Sequence, residues 1–415
     1  MKKIIIISYF YPPCNLTASQ RSSFWGEYLF NFNIYPIVIT KNWSNNIDNE
    51  EYNIENSFNK IIYLNKDNLI RKTLLKIKRK NILLKIIQKT FTLKDLLFIH
   101  FSNKIYPVNS FLKQTEKIIQ TEKIDGIIIS GAPFELFKVG YLINKKYGIN
   151  WIADYRDDWS TNEVLEYSFI QKMLNKLNRK SEKKWISSSS AITSVSDHYT
   201  NKISLFNSKI GYTIENGFFD FIEKPHESNE KFILIYNGTL YKSQKIEDFM
   251  NAFINFCKNK ENVQLKFIGA GFDQEQKIRL EKYLKVLKEK LIITSRVSKK
   301  EILDEQKKAS ILLMFSHNNC RGIPSSKLYE YFSFGKHILS TPKDNDIIDD
   351  KLAKYELGYS FDKTEEIENF LNKKYEEFIN YKLKVIEAPE KNEFIKTQHR
   401  LNQTEKLADL LHKYF

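Results

Sequence analysis

The stretch GIPSSKLYEYFSFG, residues 322–335, places a lysine and a glutamate on a short helical pattern that is otherwise apolar. One apolar face is formed by three residues at i, i+3, i+4 spacing: Leu328, Tyr331 and Phe332. A capping box would put Glu330 at the third helical position and make Lys327 the N-cap, for which lysine is a poor residue. Ser325 or Ser326 is the better N-cap, so capping does not account for Glu330. The pattern instead predicts a helix start that binds phosphate with Lys327 beside it, while Glu330 accepts hydrogen bonds from sugar hydroxyls.

A second polar loop follows the apolar run that ends at Tyr236. Asn237 and Gly238 allow a tight turn, and Lys242 and Lys245 precede the next helical pattern. A glycine turn that leads into a helix N-terminus with two lysines can bind an anion. An ordinary strand-to-helix turn with solvated lysines fits the same residues, and both interpretations stay open.

The first half of the chain offers two charged loops. Arg21 opens a helical pattern, where its charge opposes the helix dipole, so it faces either solvent or an anionic ligand. Asp154, Arg156 and Asp157 follow another apolar run. Charge this dense at the end of a strand indicates either an ion-pair cluster or a pocket for a polar substrate.

Several common chemistries are not supported. A nicotinamide site needs GxGxxG after a strand, and FIGAGFDQ supplies Gly269 and Gly271 but Gln274 in place of the third glycine. No phosphate-binding GxxxxGK[ST] motif occurs. The histidines are scattered and the run Asp344–Asp346 is interpreted as a solvated loop, so we expect no metal site. The three cysteines are widely spaced, which is typical of a reducing cytosol.

Length and charge set the broad class. The chain has 415 residues, which favours two domains, and a net charge of +15, which favours an anionic partner. The first residues, MKKIIIISYFYPPC, predict a buried strand and not a signal peptide. No uncharged apolar run reaches the roughly 18 residues that a membrane span needs.

Short β-branched runs alternate with helical patterns along the whole chain, which predicts parallel sheets covered on both faces. The pattern restarts after the polar segment at residues 223–230, EKPHESNE. We therefore expect an α/β protein with two doubly wound, Rossmann-like domains, at residues 1–220 and 231–392, and a terminal helix at 393–415 that packs back on the first. Ligands bind at the carboxyl ends of such strands, so a central cleft between facing sheets is the expected site.

Residues 66–94 form a basic stretch, with ten lysines and arginines and one acid. Leucine and isoleucine recur at helical spacing within it, which is typical of a helix that lies on an anionic membrane surface. A core-facing helix with solvated lysines is the alternative. A second basic helix is predicted at residues 171–185.

Taken in order, these segments resemble glycosyltransferase family 4, in particular its bacterial surface-polysaccharide enzymes, and the resemblance covers nearly the whole chain. The segments that carry it are YFYPPCNLTASQR, SGAPFELFKVGYLINKKYGINWIADYRDDW, AITSVSD, IENGF, YNGTLYKSQKIEDF, FIGAG and GIPSSKLYEYFSFGKHIL. The last is the most specific. The resemblance implies the GT-B fold, a nucleotide-sugar donor (a UDP-sugar) on the C-terminal domain, an acceptor on the N-terminal domain, retention of anomeric configuration and no catalytic metal or other cofactor.

The resemblance also implies roles for individual residues. Glu330 matches the second glutamate of the family's E-x7-E motif and would hold the donor ribose, and Lys245 matches the lysine that contacts the diphosphate, with Lys242 as its rival. Arg156 and Asp157 fall where many members have His-Asp, facing the transferred sugar. The remaining donor-binding candidates are Gly238, Thr239, Gly269, Arg296, Val297, Ile323, Pro324, Ser325, Ser326 and Lys327. The candidates for the acceptor side or the cleft are Asn15, Arg21, Pro133 and Asp154.

The sequence departs from the family pattern at four places. Gly322 replaces the first glutamate of E-x7-E, Thr239 replaces an arginine, and Arg156 replaces the histidine of His-Asp. The glycine-rich loop after the first strand is replaced by residues 14–20. The first change affects recognition of the donor sugar, and the second leaves less positive charge at the diphosphate, which Lys242, Lys245, Lys327 and Arg21 could supply.

Two functions follow as hypotheses. The first is a retaining transferase in which the acceptor hydroxyl attacks the sugar on the face from which the diphosphate leaves. The protein would position the reactants, and Lys245 and the amides of residues 323–326 would stabilise the negative charge that grows on the diphosphate. Its acceptor would be a polysaccharide or a polyprenyl-diphosphate-linked oligosaccharide, and the enzyme would be cytoplasmic and peripheral on the inner membrane face, with no nucleic acid bound. The alternative is a non-catalytic basic protein that binds nucleic acid or anionic lipid and has a degenerate donor site.

Overall fold

The computed structural model describes residues 1–14, 16–43, 58–65, 97–162, 169–219, 230–317, 321–323, 325–380 and 392–415. The chain divides into two units. The first contains Met1–Glu215 together with Leu401–Phe415, and the second contains Asn216–Arg400. In the described residues, no helix has the length and apolar character required to cross a membrane.

In the part of the first unit that the structure describes, seven parallel strands lie in the order β3-β2-β1-β4-β5-β6-β7. Isoleucine runs form its centre because β-branched side chains pack well on a pleated sheet, and Ile4–Ile7 are fully buried. In register, Ile5 lies between Ile37 and Ile127. The strands are β1 (Lys2–Ser8), β2 (Ile34–Lys41), β3 (Lys60–Leu64), β4 (Gly126–Gly131), β5 (Trp151–Tyr155), β6 (Ala191–Ser194) and β7 (Gly211–Thr213).

Helices cover both faces of this sheet. Ile5 and Ile7 face one apolar cluster, with Phe111, Phe137 and Trp185 from three helices, whereas Ile4 and Ile6 face another, which includes Trp25, Leu407 and Leu411. The helices are α1 (Thr17–Tyr28), α2 (Val108–Thr121), α3 (Phe137–Tyr147), α4 (Phe169–Ile186), α5 (Asp197–Asn207) and, from the carboxyl terminus, α14 (Arg400–Tyr414).

The second unit repeats this design, and its described residues contain six parallel strands in the order β10-β9-β8-β11-β12-β13. The strands are β8 (Phe232–Asn237), β9 (Val263–Ile268), β10 (Leu291–Ile293), β11 (Ile311–Phe315), β12 (His337–Thr341) and β13 (Gly358–Ser360). The helices are α6 (Glu247–Phe256), α7 (Gln274–Glu281), α8 (Leu284–Leu287), α9 (Lys299–Lys308), α10 (Ser326–Phe332), α11 (Ile347–Lys354), α12 (Thr364–Ile379) and α13 (Glu393–Thr397). Two apolar clusters again lie on opposite faces of the sheet.

The predicted fold class is confirmed, since both sheets are parallel and doubly wound with the same strand order. Strand β13 was not predicted, because its three residues, Gly-Tyr-Ser, contain no β-branched run. The structure also divides the terminal segment differently from the predicted helix at 393–415. Helix α13 belongs to the second unit, where Ile395 is buried, and only the residues from Leu401 onward belong to the first.

Arg21 and Asp154 form a buried ion pair in the first unit, which corrects their assignment to the acceptor side or the cleft. The Arg21 side chain is 4% exposed and that of Asp154 is 0% exposed, with 2.9 Å between Nη2 and Oδ1. The Nη1 group of Arg21 donates to the carbonyl of Ile214 at 2.6 Å, and Asp154 also accepts from Ser130 and Thr193. Arg21 therefore faces neither solvent nor a ligand, and its charge is compensated inside the unit.

We expect Arg21→Leu to lower the free energy of unfolding of the first unit by about 3–5 kcal/mol, because it leaves the buried carboxylate of Asp154 without its partner. The matched control is Arg156→Leu. Its partner Asp157 is 59% exposed and stays hydrated without the arginine, so this change should cost at most about 1 kcal/mol. All five tryptophans lie in the first unit, so urea denaturation followed by tryptophan fluorescence reports on that unit. Equal losses in the two variants would contradict a structural role for the pair.

Candidate functional site

Two glycine turns meet at the carboxyl edge of the second sheet. Gly238 follows β8 with φ of +90° and Gly269 follows β9 with φ of +84°, a region that glycine adopts without steric cost. A Cβ built on Gly269 would lie 3.5 Å from the Cα of Gly238, so the turns are packed together. The Gly238 amide donates to the Ile268 carbonyl at 2.7 Å, and the Gly269 amide donates to Thr294 Oγ1 at 3.1 Å.

Lys327, in the first turn of α10, contacts the glycine turn at Gly238. Its Nζ donates to the hydroxyl of Tyr236 at 2.9 Å and lies 4.5 Å from the centre of the Tyr236 ring. A Cβ on Gly238 would lie only 3.1 Å from Cε of Lys327. Glycine at this position therefore leaves room for the lysine side chain. The ammonium group has three N–H donors, so those not used by Tyr236 can bind a ligand.

Glu330, one turn further along α10, is half-buried and held through a single oxygen. Its Oε1 accepts from Gln306 Nε2 at 2.7 Å and from Asn237 Nδ2 at 3.5 Å. Within the described residues, Oε2 has no hydrogen-bond partner. Helix α10 begins after Ser325, which makes no side-chain capping bond, and Glu330 does not cap the helix either.

The neighbouring Tyr331 is fully buried and fixes α10 to the sheet. Its hydroxyl lies 2.6 Å from Asn237 Oδ1 and 3.1 Å from the carbonyl of Leu313, so these two acceptors share its one proton. Burial raises the pKa of Tyr331 well above its usual value, so the hydroxyl stays protonated. Asn237 is thereby oriented with its amide nitrogen toward Glu330.

The buried side chain of Gln244 fixes the loop between β8 and α6 through hydrogen bonds. Its Nε2 donates to the Phe315 carbonyl and its Oε1 accepts from the Tyr241 amide at 2.9 Å. The Tyr236 hydroxyl donates to the carbonyl of Thr239 at 2.8 Å. Lys242 and Lys245 are both exposed on this loop, so their charges are available at the same edge of the sheet as Lys327.

His317 also lies beside this loop. Its Nδ1 is 3.0 Å from Ser243 Oγ, and its ring contacts that of Tyr241. Burial and, secondarily, the charge of Lys327 lower the pKa of His317. The imidazole is therefore neutral at physiological pH and adds no positive charge to this edge.

Other predicted donor-site residues lie near the same edge. Arg296, after β10, places its guanidinium 3.8 Å from the centre of the exposed Phe272 ring, and Val297 beside it is half-buried. Ile323, Ser325 and Ser326 are half-buried at the start of α10, and Pro324 lies outside the described residues. Their contacts with a ligand stay predictions.

The predicted residues of the first unit fall at the carboxyl edge of its own sheet. Arg156 and Asp157 follow β5 and pair with each other at 2.7 Å, and Pro133, after β4, is half-buried. Asn15 and the basic stretch at 66–94 lie outside the described residues.

The described residues contain no group of three histidine, cysteine or acidic side chains that could hold a metal ion. The run Asp344–Asp346 is a loop before α11, as predicted, but it is only partly solvated. Asp344 is half-buried and accepts from the amides of Asp346, Ile348 and Asp349 at the start of α11. Burial raises the pKa of Asp344.

Sequence reasoning missed three residues that position the candidate site: Tyr236, Asn237 and Gln306. Asn237 carries a readable signal, because it is a polar residue that ends an otherwise apolar strand. Gln306 also stands out, since it occupies the apolar helix face defined by Ile302 and Leu303 and is fully buried. The role of Tyr236 depends on its approach to Lys327, 91 residues away, which no local pattern contains.

The arrangement gathers three cations, Lys242, Lys245 and Lys327, and one half-buried carboxylate, Glu330, where β8 and β11 adjoin. This is the point at which the strand order reverses, the usual place for a ligand in a doubly wound sheet. Cations suit a phosphorylated ligand, and a carboxylate with a free oxygen suits hydroxyl groups.

Structural comparison shows the same fold along the whole chain in distant proteins. Sucrose-phosphate synthase from Thermosynechococcus elongatus is 12% identical, with a TM-score of 0.65 over 100% of this chain and 99% of that one. The N-terminal domain of trehalose-6-phosphate phosphatase from Candida albicans is 11% identical, with a TM-score of 0.63 over 100% and 97%. HepE from Anabaena, solved with UDP-glucose, is 9% identical, with a TM-score of 0.62 over 100% of both chains. At these identities the likeness shows the fold alone.

Sequence comparison is more specific for the second unit. A search of curated proteins gives no significant match. Residues 218–399, however, match the family described as "Glycosyl transferases group 1". The match covers almost all of the second unit, which contains Asn216–Arg400, and therefore includes both glycine turns, Lys327 and Glu330. The similarity to the group 1 glycosyl transferases is thus confined to residues 218–399 and takes in the candidate site.

Proposed function

We propose that this protein is a retaining glycosyltransferase that moves a hexosyl or N-acetylhexosaminyl group from a UDP-sugar to a glycan. The observation that carries the proposal is the position of Lys327 and Glu330 beside the turn at Gly238, inside the segment matched by the family. HepE, which shares the fold, was solved with UDP-glucose, and this supports uracil as the base. The acceptor we propose is a polysaccharide or a lipid-linked oligosaccharide of bacterial surface-glycan synthesis.

Each donor-site residue has a proposed task. Oε2 of Glu330 accepts from the ribose hydroxyls, while Oε1 stays engaged with Gln306 and Asn237. Lys327 and Lys245 neutralise the diphosphate, with Lys242 as an exposed neighbour. Arg296 and Val297 lie beside the base, and Arg156 and Asp157 of the first unit act on the side of the transferred sugar.

The proposed reaction proceeds on one face of the sugar. The bond between the anomeric carbon and the diphosphate breaks, the acceptor oxygen bonds to the same face, and its proton passes to an oxygen of the leaving diphosphate. Negative charge grows on the diphosphate as the bond breaks. Cations held at fixed positions stabilise the transition state, in which this charge has grown, more than they stabilise the ground state. This difference lowers the barrier.

We expect UDP at about 100 times its Kd to raise the melting temperature of the protein by about 5–10 °C, because ligand binding to the folded state adds about 2.7 kcal/mol. Glu330→Ala should abolish the shift, since the carboxylate that holds the ribose is lost. The matched control is Glu301→Ala, an exposed glutamate in the first turn of α9. An unchanged shift in Glu330→Ala would refute the role of Glu330, and no shift with any common nucleoside diphosphate would refute the function.

Lys327→Met should slow hydrolysis or transfer of a UDP-sugar by about 10²–10³-fold, because one cation that stabilises the leaving diphosphate is removed. Single-turnover kinetics with a panel of UDP-sugars measures this rate. Lys300→Met, an exposed lysine of α9, is the control and should leave the rate unchanged. EDTA should also have no effect, since the proposed charge stabilisation comes from lysines. A rate in Lys327→Met equal to that of the control would count against the assignment.

A further inference from the structure

Helix α4 of the first unit presents six basic side chains on its outer face. All six are largely exposed, and none forms an ion pair with a carboxylate of the described residues. These residues are Lys172, Lys176, Arg179, Lys180, Lys183 and Lys184. Like charges four residues apart destabilise a helix. Folding alone therefore does not explain why this face carries so many basic residues.

The single acid of α4 does not offset this charge. Glu182 is fully buried on the inner face, where it accepts from the Tyr155 hydroxyl at 3.0 Å and from Asn207 Nδ2 at 3.2 Å. Burial raises the pKa of Glu182. The outer face of α4 is therefore uniformly cationic.

Large aliphatic side chains are exposed next to these cations. Met173 of α4 is 54% exposed, Leu205 near the end of α5 is 84% exposed, and Ile210 is 62% exposed. They belong to one surface because α5 is tied to the second half of α4. Arg179 and Lys183 lie 4.3 and 4.9 Å from the centre of the Phe206 ring.

A second contact fixes the end of α5 against the end of α4. Lys209 Nζ donates to the carbonyls of Ser187 and Ser189, both at 2.7 Å. The residues on either side of this anchor, Leu205 and Ile210, are thus held beside the cationic face without being packed into the core. We call the six basic residues of α4 together with Met173, Leu205 and Ile210 the α4–α5 face.

We propose that the α4–α5 face docks on an anionic lipid surface. Its cations would meet the headgroups, while Leu205 and Ile210 would enter the boundary with the acyl chains, as in interfacial helices that combine Lys and Arg with exposed aliphatic residues. Nucleic acid would use the cations but gains nothing from exposed leucine and isoleucine, because its bases stack on aromatic rings. The inference goes beyond the sugar chemistry, although it suits a lipid-linked acceptor.

The test is sedimentation with vesicles at about 0.15 M salt, a concentration that screens weak surface charge. The intact protein should bind vesicles that contain phosphatidylglycerol and not vesicles of phosphatidylcholine alone. The triple variant Lys172→Gln/Lys176→Gln/Lys180→Gln should bind about a hundredfold more weakly. The matched control is Lys258→Gln/Lys282→Gln/Lys285→Gln, which removes the same charge from exposed positions of the second unit and should bind like the parent.

A second pair of variants tests the aliphatic part of the face. Leu205→Ser should weaken binding to the anionic vesicles about tenfold. Val286→Ser, which is 61% exposed on the second unit, should leave it unchanged. Melting temperatures near that of the parent would show that all four variants fold.

Two results would overturn the proposal. One is equal vesicle binding by the Lys172 triple variant and its matched control. The other is tighter binding to a short RNA than to vesicles, with RNA binding unchanged in Leu205→Ser. That result would make the surface a nucleic-acid site. The vesicle-binding measurements need no nucleotide. A failure of the UDP experiments would therefore not change the result of the vesicle experiments.

Discussion

The divergence of β8 and β11 is the constraint on which the candidate site depends. The two strands pair at Leu234 with Ile311 and at Ile235 with Leu312, and the Leu313 carbonyl beyond these pairs accepts from the Tyr331 hydroxyl. Because a buried carbonyl without a partner is costly, this hydrogen bond fixes where α10 begins relative to the sheet. Lys327 and Glu330 occupy the same helix, so their positions beside the turn at Gly238 follow from it.

Much of the fold could be predicted because its signals are local. The isoleucine runs of β1 and β4 are buried on both faces, and such runs distinguish parallel strands from amphipathic ones. The spacing within residues 322–335 likewise predicted a short helix with Lys327 and Glu330 off its apolar face, and the structure has α10 there. Strand β13 was missed because it depends on pairing with β12 and not on its own residues.

The errors and omissions in the candidate site have a common physical cause, which is pairing over long distances in the chain. Arg21 was expected to face solvent or an anionic ligand because its charge opposes the dipole of the helix that it opens. Its partner is Asp154, 133 residues away, and the pair is buried by strands that no local pattern links. Gln306 and Glu330 meet in the same way across two helices. Sequence patterns therefore located the polar edges but not which charges neutralise each other there.

The backbone at Gly322 has a conformation that favours glycine. Its φ of +77° lies in the left-handed region, where a glutamate side chain would be strained, and its amide donates to Asp346 Oδ2. At the position where the resemblance implies a first glutamate, the backbone thus has a conformation that favours glycine, and a carboxylate from another loop lies against it. Three features of the site fit together: the turn at Gly322, the space that Gly238 leaves for Lys327, and the hydrogen bond from the buried Gln306 to Glu330. These coordinated features favour altered donor recognition over a degenerate donor site.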